Sequence, residues 1–254
     1  MSSESARRAL AEALGTGLLV AIVVGSGITA QRLSPGDIGL ELLENSIATA
    51  LGLGALILML GPVSGAHFNP VVTLADYVLG RRTGAGLDAA TVAVFIPAQV
   101  AGGIGGAALA NLMFGLPTVT ASTHVRDGGH LWLGEVVATA GLVLLVFSLA
   151  RTGRGAYGPA AVGAYIGAAY WFTSSTSFAN PAVTIARAFT DTFSGIAPGS
   201  IAGFVGAQLL GAAIGVGLVA VLFPHRPTPA KPLASAEPLG AEHVTIPTTA
   251  RTAP

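Results

Sequence analysis

Two heptapeptides, NPVVTLA (69–75) and NPAVTIA (180–186), lie 111 residues apart, agree at five of seven positions and each opens a short apolar segment. An Asn-Pro pair does not belong inside a helix or a central strand, because proline lacks an N–H and clashes with the preceding turn. At a helix start the same pair is favourable: asparagine caps the first turn and proline occupies a position whose N–H would have no partner. Each heptapeptide therefore predicts a short helix that begins at Asn-Pro. The preceding stretches, SGAHF (64–68) and STSF (175–178), read as extended backbone.

The solvent for such a chain is read from its composition. It is 52% hydrophobic and 9% charged, with a mean hydropathy of +0.72. Soluble domains carry about a quarter charged residues, so much of this surface faces lipid. Apolar runs predict six spans, near 9–30, 39–61, 88–112, 131–150, 158–175 and 199–223. Each is about 20 residues, the length that a bilayer core requires. The two Asn-Pro segments, about ten residues each, are too short to cross. Glycines inside the spans, among them Gly102, Gly103, Gly106, Gly211 and Gly215, suit close helix packing.

Three spans separate the two heptapeptides, so the copies enter the membrane with opposite topology. Glu12 and Thr16 in the first span correspond to Glu135 and Thr139 in the fourth, and AQVAGGIGG (98–106) corresponds to AQLLGAAIG (207–215). This pattern is a 3+3 inverted repeat. The fold class it predicts is an all-α integral membrane protein of six transmembrane helices and two re-entrant half-helices. Arg7 and Arg8, Arg81 and Arg82, and Arg151 and Arg154 fall on one side, against Arg32, Arg126 and Arg187 on the other. The positive-inside rule then makes both termini cytoplasmic. The expected organisation is a cytoplasmic segment (1–8), a membrane domain (9–223) and a Pro/Ala-rich, disordered cytoplasmic tail (224–254). The first apolar run is too long for a signal-peptide core and carries Glu12, so it reads as a span.

Several function classes are disfavoured. Zero formal charge offers no surplus for nucleic acid, and the absence of cysteine removes thiolate chemistry. His67, His124, His130, His225 and His243 have no metal-ligand spacing, so neither metal nor cofactor is expected, and no histidine adjoins the hydroxyl cluster at 174–177 to make a nucleophile. An enzyme is not the reading that the residues favour.

Irregular backbone at membrane depth survives only against protein or a watery cavity. Gly65, Ala66, His67, Phe68, Thr176, Ser177, Phe178 and Ala179 are therefore candidate lumen residues, with carbonyls forming a row of acceptors. Inverted topology brings Asn69-Pro70-Val71 and Asn180-Pro181-Ala182 together near the midplane. Two asparagine amides and two positive helix starts would meet there, favouring neutral polar solutes over cations. The intramembrane Glu12 and Glu135 admit two readings, proton carriers of a coupled transporter or acceptors for unpaired loop N–H groups. Their symmetric duplication favours the second. Gln99 and Gln208 read as packing or loop-support residues rather than lumen residues.

These paired motifs resemble those of the major intrinsic protein family, the aquaporins and aquaglyceroporins, over residues 9–223. The resemblance implies a homotetramer in the lipid bilayer with one pore per subunit, glutamates matching Glu12 and Glu135 holding the loops, and a histidine matching His67 in the cytoplasmic half of the pore. It also implies an outer filter at Thr49, Ala168, Ser177 and Val183, with Tyr170 replacing Ala168 if the alignment shifts by two residues. Two positions depart from the family pattern. Val71 stands where alanine is usual, and Val183 stands where most members have arginine, which implies a wider, less polar filter. Arg187, four residues on, lies on the same helix face about 6 Å further along; it either reaches the outer mouth or pairs with Asp191 at i+4. Valine at 183 followed by TIARAFTDTFSGIAP resembles a bacterial branch associated with arsenic resistance. The expected function is a passive channel in the cytoplasmic membrane for small neutral solutes: arsenite or related metalloid hydroxides, glycerol and water. A strict water channel, an ion-coupled transporter and a non-conducting structural protein are the alternatives.

Overall fold

The computed structural model describes residues 2–81, 84 and 86–224. The expected tail, apart from Pro224, lies outside the described residues, as does Arg82. Eight α-helices occur among the described residues: α1 (Ser3–Leu33), α2 (Ile38–Ser64), α3 (Pro70–Gly80), α4 (Ala89–Met113), α5 (Gly129–Arg151), α6 (Gly158–Phe172), α7 (Pro181–Ala186) and α8 (Ile201–Leu222). Helix starts follow local chemistry. Asp37 Oδ1 accepts from Leu40 N at 3.0 Å and Asp88 Oδ1 from Thr91 N at 2.7 Å, capping α2 and α4. Asn69 Oδ1 accepts from Val71 N, and Asn180 Oδ1 from Ala182 N, both at 3.0 Å, capping α3 and α7.

Helices α1, α2, α4, α5 and α8 are long and apolar enough to cross a bilayer. Helix α6 has 15 residues, about 22 Å at 1.5 Å per residue. Its span was expected to run to residue 175. It stops at Phe172 because the next residues turn into the second re-entrant loop. It still runs back along the length of α5: it follows the end of α5 after a 3₁₀ turn, and Ser174 just beyond it donates to His130 O at the start of α5, 2.7 Å away. A sixth crossing results.

The second half-helix is also shorter than expected. Helix α7 spans six residues and continues as a single 3₁₀ turn, Arg187–Phe189. The carbonyls that would extend it are taken by loop N–H groups: Ile196 N donates to Arg187 O, Ser122 N to Ala188 O and Thr120 N to Phe189 O.

Helix α1 packs against α4 and α5 against α8, in the same way in each half. A Cβ on Gly102 or Gly106 would overlap the backbone carbonyls of Ala13 or Gly17, and one on Gly211 or Gly215 those of Val136 or Ala140. Glycine is needed at these crossings because backbone meets backbone. Large apolar side chains such as Leu51, Leu58, Leu210 and Val221 are exposed on the outer faces, where lipid or another protein surface would cover them.

Candidate functional site

The two re-entrant loops share an unusual backbone. Gly65, Ala66 and Phe68 adopt positive φ angles of 98°, 52° and 49°, and Thr176, Ser177 and Ala179, each 111 residues later, adopt 60°, 50° and 47°. A non-glycine residue in this region costs roughly 1–3 kcal/mol and persists only where its surroundings impose it. Two buried carboxylates do so here. Glu12 Oε1 accepts from His67 N at 3.0 Å and Ser64 Oγ at 2.6 Å, while Oε2 accepts from Phe68 N and Gln99 Nε2, both at 2.7 Å. Glu135 Oε1 accepts from Phe178 N at 2.8 Å, and Oε2 from Ala179 N at 2.8 Å and Gln208 Nε2 at 2.6 Å. Each glutamine also donates to a threonine of the adjoining half-helix, Gln99 to Thr73 and Gln208 to Thr184. Every carboxylate oxygen is thus engaged, which is what allows charge to sit fully buried.

The half-helices meet at their starts. Asn69 Nδ2 donates to Ala179 O and Asn180 Nδ2 to Phe68 O, each at 2.8 Å, so each amide grips the opposite loop and keeps a second N–H that has no partner among the described residues. From there the helices diverge. Asp76 on α3 accepts from Leu87 N beside the start of α4, whereas Phe189, just after α7, accepts from Asn111 Nδ2 near its end. The 25 residues of α4 extend roughly 37 Å, so the two half-helices point to opposite faces of the membrane.

Between the loops lies a cavity of about 320 Å³. Gly65, Ala66, His67, Phe68, Asn69, Ser177, Phe178, Ala179 and Asn180 line it, together with Thr49, Val183 and Arg187. Pro70, Val71, Pro181 and Ala182 are buried behind it, and Thr176 is not among the lining residues. One filter assignment is corrected: Ala168 is exposed on the outer face of α6, and Tyr170 lines the cavity instead, donating to Thr49 Oγ1 at 3.2 Å. Positions two apart on a helix differ by about 200°, so a two-residue shift in register exchanges lumen for surface. The pairing of Arg187 with Asp191 is also corrected. Asp191 Oδ1 accepts from Thr123 N and Oγ1 at 2.8 and 3.0 Å and lies 3.8 Å from His124 Nε2. The Thr123 hydrogen bonds hold the Asp191 carboxyl below its usual range. Arg187 turns inward instead: Nε donates to Ser194 O, and the guanidinium lies 3.4 Å from the centre of the Phe178 ring.

Residues absent from the sequence-based expectations complete the wall. Leu19 and Val23, Leu53 and Ile57, Leu142 and Val146, and Val162 and Ile166 line the cavity from four helices. Each pair is spaced i, i+4, the signal of one helix face. Asp76 also lines the cavity, at the end opposite Arg187.

A narrow lumen threaded between inverted half-helices, with polar groups along its loops and apolar residues elsewhere, defines a transmembrane channel. Residues 1–179 match the family described as Major intrinsic protein. Over 222 residues the chain is 54% identical to aquaglyceroporin AqpS of Rhizobium meliloti (strain 1021), covering 87% of this chain and 92% of that protein. The propanediol uptake facilitator PduF of Citrobacter freundii is 31% identical over 178 residues, with coverage of 61% and 63%. The X-ray structure of the aquaglyceroporin from Plasmodium falciparum aligns at a TM-score of 0.64 over 85% of this chain and 95% of that one. At 20% identity, that likeness is one of fold. The chain belongs to the major intrinsic protein family, and is a multi-pass membrane channel rather than an enzyme.

Proposed function

We propose that this channel passes small neutral solutes passively through a filter wider than that of a strict water channel: glycerol, metalloid hydroxides such as arsenous acid, and water. The observation that carries the reading is Val183, an apolar side chain where most of the family has arginine, lining the cavity with Thr49, Tyr170 and Ser177. Without a guanidinium at that position the constriction gains width and loses donors. Tyr170 narrows it again relative to an alanine and offers a hydroxyl, so a polyol meets one apolar wall and one polar wall. The 54% identical relative is named an aquaglyceroporin, which agrees. Cations are opposed by two helix starts and by the cost of dehydration, several kcal/mol per ion; half-helix dipoles are a general barrier in aquaporin-type pores. The pore works in the cytoplasmic membrane as a homotetramer, with both termini cytoplasmic.

Flux of water, glycerol, urea and arsenite through reconstituted protein tests this directly. Val183→Arg should lower glycerol and arsenite flux roughly tenfold, equivalent to about 1.4 kcal/mol, while largely sparing water. Equal loss of all solutes at normal protein levels, or uptake that vanishes when an ion gradient is collapsed, would count against it.

A further inference from the structure

Positions 76 and 187 are equivalent in the repeat, being 111 residues apart, and they carry opposite charges at opposite ends of the lumen. The Asp76 end is a carboxylate. At the other end, Arg187 is only 3% exposed yet lines the cavity. Its Nε is held by Ser194 O, and no hydrogen bond among the described residues uses Nη1 or Nη2. A second guanidinium, Arg126, lies 5.2 Å from the centre of the same Phe178 ring, and is tied by Nε to Gly195 O at 2.8 Å and by Nη2 to Phe193 O at 3.2 Å.

Little neutralises this pair. Glu135 is the carboxylate of this half's interior, and its oxygens are committed to Phe178, Ala179 and Gln208. Asp191 is committed to Thr123 and His124. No carboxylate among the described residues lies within 4.0 Å of either guanidinium. Even with Glu135 counted, one positive charge is left over, in a place where buried charges are normally paired. Ser177 Oγ, buried and without a hydrogen-bond partner among the described residues, lines the same cavity.

We propose that Arg187 forms an anion subsite at this mouth of the lumen. Its free Nη edge takes a small, planar, monovalent oxyanion, of the carboxylate or nitrate type, which occludes the channel rather than crossing it. Two oxygens on one planar centre match the guanidinium fork. Further in, the ion would pass Val183 and the aliphatic walls of α1 and α2, shedding water at a cost of several kcal/mol. The Asn69 and Asn180 amides offer donors beyond that point, but Asp76 repels an anion on the way out. This inference rests on the chain being a channel, and not on Val183 setting its selectivity.

The test is glycerol and osmotic water flux through reconstituted protein, with sodium nitrate replacing sodium chloride, whose spherical anion has no pair of oxygens to match the fork, at fixed ionic strength. Nitrate should inhibit both fluxes several-fold and saturably in the wild type. Arg187→Lys, which keeps the charge but not the fork, should need roughly tenfold more nitrate, and Arg187→Gln should lose the saturable component. Each variant is read as its own ratio of flux with and without nitrate, so a change in basal conduction does not confuse the result. If a variant does not conduct, nitrate-dependent thermal stabilisation of the detergent-solubilised protein is read instead; it should be present in the wild type and absent in Arg187→Gln. Equal inhibition or equal stabilisation of wild type and Arg187→Gln would overturn the proposal. So would uninhibited flux through the wild type, or nitrate crossing as fast as glycerol. Failure of glycerol alone to pass, with nitrate still slowing water, would refute the proposed solute range and leave the anion site standing.

Discussion

The half built around Asn69 and the half built around Asn180 share a hidden framework and differ in what they show to the lumen. The framework is duplicated almost atom for atom: a glutamate receiving consecutive loop N–H groups, a glutamine joining that glutamate to a half-helix threonine, and positive φ angles at matching positions. Among the lumen-facing side chains, Asn69 and Asn180, Val72 and Val183, and Leu19 with Val23 and Leu142 with Val146 repeat, but residues of the loops and of the two ends do not. His67, whose Nδ1 lies 3.1 Å from Thr73 Oγ1, corresponds to Phe178, which packs edge-on against Phe204 and carries two guanidinium groups. Asp76 corresponds to Arg187. Re-entrant backbone allows few solutions, because every buried N–H must find an acceptor. Side chains around a solvated path have no such obligation, and there the halves are free to diverge.

The largest effects should come from the shared framework. Glu12 gathers four donors and Glu135 three, and glutamine at either position replaces an acceptor oxygen by an amide that cannot accept. Hydrogen bonds to a charged group contribute about 1.5–3 kcal/mol each, so Glu12→Gln and Glu135→Gln should each lower the thermal stability of the purified protein by several degrees. The Glu12 variant should suffer more; equal and negligible shifts would deny the carboxylates their supporting role. Next comes the lumen contrast. Arginine at Val183 should separate glycerol from water as described, whereas arginine at the equivalent Val72 should lower both together if only the Asn180 half filters. A smaller change is expected for Tyr170→Ala, a roughly twofold rise in glycerol flux if the ring narrows the path, equivalent to about 0.4 kcal/mol. No rise would return the constriction to other residues.

The smallest effect belongs to the surface loop. Hydrogen bonding from Thr123 lowers the Asp191 carboxyl in the folded state. Its contribution is therefore complete above the unfolded value of about 3.9 and is lost as pH falls through the lower folded value. The stability difference between wild type and Asp191→Asn should be slight at neutral pH and should disappear in that acidic window; a difference that grows on acidification would reverse the sign.

Much of the framework was legible before any coordinates. Asn-Pro starts and matched glutamates are local or repeated signals, and the symmetry of the two halves reinforced each of them; the i, i+4 apolar pairs of the lumen wall carried a signal too, but one shared with every packed helix face. The misreadings occurred where a local rule met a tertiary competitor. Asp191 satisfied the i+4 spacing for a partner of Arg187, but Thr123 supplied hydrogen bonds from a different loop. Helix α7 had the composition to continue, but its terminal carbonyls were taken by the segments around Thr120, Ser122 and Ile196.

The sequence by itself determined the membrane, the inverted repeat and the two half-helix starts, since these depend on hydropathy, on counting spans and on interactions within a few residues. The tertiary structure alone decided that Tyr170 rather than Ala168 faces the lumen and that Arg187 turns inward. Those outcomes depend on how each packed helix is rotated about its axis and on which distant loop reaches a donor first. Neither quantity is encoded within one segment; both are set only when all the segments compete for the same space and the same hydrogen bonds.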